Sequence, residues 1–105
     1  MENAPEQTPA PVSRKNIAIR LLYTLLFSIA FGILHMLLNL SIVFQYILLF
    51  ITGSASEPVR RFTNQLAAYT YRVTRYVTLN DNERPFPFSN FPQDLEPPVS
   101  EVTFD

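Results

Sequence analysis

From Ile17 to Thr52 the chain runs for 36 residues with a single formal charge, Arg20. A stretch this long and this apolar is not a water-soluble helix, and the solvent it calls for is lipid. The expected fold class is an all-α membrane protein. With 105 residues, of which the apolar segment takes about a third, there is room for one small unit and no second domain. The net charge of −1 averages an oily middle with two polar ends, so each end is read separately.

Residues 1–16 carry Glu2 and Glu6, then Arg14 and Lys15, with Pro5, Pro9 and Pro11 between them. That composition predicts a disordered leader. The apolar run exceeds a signal-peptide core, and Gly53-Ser54-Ala55-Ser56 follows too distantly to serve as its cleavage site, so the segment is expected to be retained. The absence of cysteine excludes disulfides, thiolate metal sites and thiol nucleophiles.

An unbroken helix over residues 17–52 would measure about 54 Å against a hydrocarbon core of about 30 Å. A tilt of about 40° still leaves about 41 Å along the membrane normal. A helical hairpin over residues 17–53 is the leading expectation, with its turn where Gly32, His35, Asn39 and Ser41 concentrate polarity. Charge agrees, since Arg14, Lys15 and Arg20 flank one end and Arg60, Arg61, Arg72 and Arg75 the other, drawing both toward the cytoplasm. Each arm would be only about 22 Å long and the turn lacks proline, which keeps one long tilted helix open as the alternative.

Gly53 suits a helix C-terminus, and Ser56 with Glu57 and Pro58 suits the start of another, predicted over residues 56–79. Within it Val59, Phe62, Leu66, Tyr69, Val73 and Tyr76 recur at spacings of three and four, an apolar stripe backed by Arg60, Arg61, Arg72 and Arg75. Such a helix fits the headgroup region, the arginines meeting anionic phospholipids and Tyr69 and Tyr76 preferring the interface. The same spacing also suits a seam against a second copy or another membrane protein. Nucleic acid is not an expected partner, because lipid phosphates account for the arginines.

Residues 80–105 open with Asn80-Asp81-Asn82-Glu83 and continue through Arg84-Pro85-Phe86-Pro87-Phe88-Ser89-Asn90-Phe91-Pro92 into an acidic, proline-containing end. A disordered tail is expected, with Phe86, Phe88 and Phe91 either docking a partner groove or the membrane interface, or folding back onto the amphipathic helix.

Several of these segments together resemble a known family. They are Arg20-Leu21-Leu22-Tyr23, Phe44-Gln45-Tyr46, Leu49, Phe50-Ile51-Thr52-Gly53, Arg61-Phe62, Tyr69 and Glu83-Arg84-Pro85-Phe86-Pro87-Phe88. The chain resembles, over about residues 18–92, the bacterial membrane family catalogued as domain of unknown function 4389 (DUF4389). It departs from that family at His35, where members often carry an acid. The resemblance implies a bacterial inner membrane and no particular activity.

Catalysis is not expected. There is one histidine, and no acid lies between Ile17 and Ser56, so neither a serine triad nor a metal site assembles around His35. No cofactor is expected. Two functions are weighed: a non-catalytic adaptor or accessory subunit that binds the anionic membrane surface and recruits a protein, and an oligomeric pore or proton pathway built on His35, Asn39, Ser41 and Gln45. In the adaptor reading the C-terminal helix and tail lie on the cytoplasmic side.

Overall fold

Helix formation begins at Ser13, whose extended backbone and side-chain oxygen, accepting from the Lys15 N–H at 3.1 Å, cap the first turn. In this computed structural model, which describes residues 13–104, the helix then runs without interruption as α1, Arg14–Thr52, 39 residues. Its length, about 58 Å at 1.5 Å per residue, matches the longest dimension of the molecule, 58 Å. The expected hairpin within residues 17–53 is not formed. Gly32 is an ordinary helical residue, and His35, Asn39 and Ser41 continue the helix, because none of them removes a backbone donor as proline would. Of the expected leader 1–16, residues 1–12 lie outside the described residues, and residues 14–16 form the first turn of α1.

The chain reverses one segment later. Gly53 adopts φ 78° and its N–H returns to the Leu49 carbonyl at 2.8 Å, which ends α1 with the residue best suited to that backbone. α2, Glu57–Val77, follows with Ser56 at its cap, Glu57 in its first turn and Pro58 where a missing N–H costs nothing. It stops two residues short of the predicted Leu79. The Leu79 N–H reaches the Tyr76 carbonyl at 3.1 Å and the Asn80 N–H the Arg75 carbonyl at 2.8 Å, a Schellman ending in which a leucine occupies the left-handed position at φ 67°.

α2 lies antiparallel on α1. Pro58, Val59 and Phe62 share a cleft with Leu37, Leu40 and Phe44, while Tyr76 at the other end meets Phe27 and Arg20. Phe27, Leu34, Leu66, Val73 and Tyr76 are the buried core of this pair, with Tyr23, Phe31, Leu38 and Tyr69 packed around them. The stripe that periodicity offered to a membrane surface or a second chain is thus occupied by α1 of the same chain.

Residues 80–104 contain no helix or strand, yet they are not a loose tail. They run back along the outer side of α2. Asn64 donates to the Glu96 carbonyl at 2.7 Å, Arg60 donates to the Val99 carbonyl, and Phe104 reaches Tyr46, Phe50 and Gly53 at the turn between the helices. Ala68, on the side of α2 away from α1, is completely covered.

Candidate membrane-binding surface and the Arg20 clamp

Two surfaces of opposite character follow from this packing. α1 uses one face, Tyr23, Phe27, Leu34 and Leu38, to meet α2. Its other side exposes Leu22, Leu25, Ile29, Met36, Val43 and Ile47, each about half exposed or more. Apolar side chains in an unbroken row along a helix this long exceed what a water-exposed surface normally carries. By length and composition α1 is long and apolar enough to cross a membrane.

α2 carries four arginines, Arg60 and Arg75 on the side away from α1 and Arg61 and Arg72 on one flank, and they are not equivalent. Arg60 is held by Glu57 and the Val99 carbonyl, and Arg75 donates to the Asn80 carbonyl at 2.8 Å. Arg61 is exposed and has no hydrogen-bond or ion-pair partner among the described residues. Arg72 is also exposed, 3.9 Å from the Asp81 carboxylate. Of the four, Arg61 and Arg72 are the more open to an external anion, Arg72 in competition with its contact to Asp81. Tyr69 and Tyr76, expected at a membrane surface, are turned inward instead. Tyr76 is buried against Phe27, with ring centroids 5.7 Å apart, and the Tyr69 hydroxyl donates to the Phe86 carbonyl at 2.6 Å. Burial raises the Tyr69 phenol above its ordinary pKa.

The three phenylalanines of the proline block divide between two sites. Phe86 and Phe91 pack with Tyr69 at centroid distances of 6.3 and 5.4 Å, the folded-back arrangement. Phe88 instead reaches α1, lying edge-on to Tyr23 at 5.3 Å and to Phe27 at 6.0 Å. Each ring keeps an exposed edge.

In the sequence Arg20 is a flanking charge, and its structural role is larger. The guanidinium donates to the Tyr76 carbonyl at 3.2 Å, to the Asp81 carbonyl and to Asn82 Oδ1 at 2.9 Å, and stacks over the Tyr76 ring at 4.5 Å. It thereby adds a charged donor to the Tyr76 carbonyl, which also accepts from the Leu79 N–H, at the negative end of the α2 dipole. Arg84 completes the corner by stacking over Tyr23 at 4.2 Å. A lone charge on the same helical face as Tyr23 and Phe27 was the available signal; the acceptors, about 60 residues away, carried none.

Asp81 is held below the usual carboxylate range chiefly because the Glu83 N–H donates to it at 3.2 Å. Desolvation opposes this, while the Asn82 N–H, Arg75 and Arg72 favour it. A folded-state pKa below the unfolded value makes this contribution complete above about pH 4 and lost as pH falls through the folded value. Acidification is expected to loosen the Asn80–Glu83 turn first. Amide exchange of that turn measured against pH should show the transition, and Asp81→Asn should abolish it.

The intramembrane polar candidates do not converge. His35 packs edge-on to Phe31 at 4.4 Å and is exposed, as is Asn39, whereas Ser41 and Gln45 are half-buried on the α2-facing side.

No curated protein and no solved structure matches the chain. Residues 14–89, which take in both helices, the Arg20 acceptors and the Pro-Phe block, match the family described as Domain of unknown function (DUF4389), and the chain belongs to that family.

Proposed function

We propose that this is a non-catalytic membrane protein of the bacterial inner membrane, an adaptor or accessory subunit that reads an anionic lipid surface and presents a folded cytoplasmic face to a protein partner. The observation that carries this reading is the pairing of an exposed apolar side on α1 with an exposed basic side on α2 in one small unit. The first supplies membrane affinity through apolar burial. Arg61 and Arg72 supply preference for anionic lipid, at about 1 kcal/mol for each arginine near such a surface. Their planar, permanently charged groups suit lipid phosphate.

The exposed edges of Phe86, Phe88 and Phe91 and the polar cleft of about 210 Å³ beside them, lined by Arg72, Asp81, Glu83 and Arg84, form the face available to a partner. The pore reading has less support, since His35 and Asn39 lie on a different side of α1 from Ser41 and Gln45.

The double variant Arg61→Gln/Arg72→Gln is expected to bind anionic vesicles about 30-fold more weakly, the equivalent of about 2 kcal/mol, with little change on neutral vesicles. High salt should erase most of the difference. Unchanged anionic-vesicle binding at low salt would remove the arginines from the mechanism.

A further inference from the structure

We infer that α1 does not cross the bilayer: it lies along the membrane plane within one leaflet, its exposed apolar face in the acyl chains and α2 above it. This deepens the membrane reading proposed above and rests on it.

The argument begins with what lies beside α1. α2 accompanies it from Phe44, in the cleft with Pro58 and Phe62, to Arg20, bound to the Tyr76 carbonyl. That interval of α1 is about 36 Å long, the full hydrocarbon thickness. Were α1 upright, Arg61 and Arg72 on α2, and Asp94 and Glu96 on the segment strapped to it, would sit at hydrocarbon depth, where charged groups are strongly disfavoured. Beyond the shelter of α2 lie residues 14–19 and 45–52, about 9 Å and about 12 Å of helix, each too short to span. The irregular backbone of residues 80–104 is equally unsuited to lipid contact.

The distribution of residues around α1 gives an independent argument. At 100° per residue, Leu25, Ile29, Met36, Leu40, Val43 and Ile47 align opposite Phe27 and Leu34, the two residues buried under α2. Ser28, His35 and Asn39, all exposed, fall along one edge of that face rather than at its centre. An upright helix gives depth no dependence on helical phase. A helix lying flat places the apolar row deepest and its polar edge shallower, toward the headgroups. The occupant of the exposed face is thus the acyl-chain layer of a single leaflet, with charge and polarity both graded toward the water.

The chain has no cysteine, so single labels can be placed cleanly. Ile29→Cys, His35→Cys, Met36→Cys and Val43→Cys in the full chain, each carrying a nitroxide and bound to vesicles containing anionic lipid, would be examined for depth by collision with oxygen and with a water-soluble relaxer. Flotation with the vesicles is measured first. The flat orientation predicts one common depth for Ile29, Met36 and Val43, with His35 shallower than its neighbour Met36. An upright α1 predicts the opposite pattern: neighbours at similar depth, and a change of about 21 Å along the normal between Ile29 and Val43. That pattern in floating protein overturns the orientation alone. Failure of the unlabelled protein to float overturns the membrane reading itself, and the orientation with it. All four positions are exposed and outside the buried core, and only His35→Cys removes a ring contact, the one to Phe31.

Discussion

Replacing Arg20 by alanine is expected to destabilise the docked state by about 3–5 kcal/mol, the scale of losing several charge-assisted hydrogen bonds in a partly buried site. The guanidinium joins three parts of the chain: α1, the last turn of α2 and the turn that follows it. Its Nε is buried without a partner, so some of the loss is offset by relief of that cost. The effect should be local at first, with amide exchange accelerating in residues 76–83 before the helix cores respond. Arg20→Lys retains the charge but lacks the planar fork that holds several acceptors at once, and should recover less than half of the loss. Wild-type exchange in Arg20→Ala would mean that the helices dock by packing alone.

Phe27→Ala is expected to cost a similar amount, about 3–5 kcal/mol, through lost contacts and the cavity left behind. Phe27 is 1% exposed and lies edge-on to both Tyr76 and Phe88. One ring therefore ties α1 to α2 and to the C-terminal segment together, and its loss should lower the unfolding midpoint and speed amide exchange around Phe88. Ile29→Ala is the paired control. Ile29 is 67% exposed, so little packing within the chain is removed, and a change within about 0.5 kcal/mol is expected. Equal losses for the two variants would show that the buried and exposed sides of α1 had been misassigned.

The second helix was legible because its signals are local. Gly53 permits positive φ, Pro58 belongs in a first turn, and the stripe from Val59 to Tyr76 repeats with helical period. What covers that stripe was not legible, since periodicity specifies a face and never its partner. The missed feature of α1 has a different origin. Polarity at His35, Asn39 and Ser41 suggests a turn because polar groups are costly at mid-membrane, a cost that applies only to an upright helix. The helix itself has no reason to break there. The proline block misled in another way. Proline and polarity suggested a disordered tail, whereas the rings between the prolines find Tyr69, Tyr23 and Phe27, contacts that bring together residues as many as 65 positions apart.

The separation between Arg20 and its acceptors also sets an order of events during synthesis. Asn82 is 62 residues further along, so α1 is complete, and its apolar side available to lipid, well before anything exists to receive the guanidinium. On the membrane reading proposed above, lipid is thus available to α1 before its charge can be closed over. A chain ending between Thr78 and Asn80 would retain both helices while leaving the single charge of the apolar segment with only the Tyr76 carbonyl of its three acceptors. The last quarter of the protein thus supplies two of the three groups that accept from that charge.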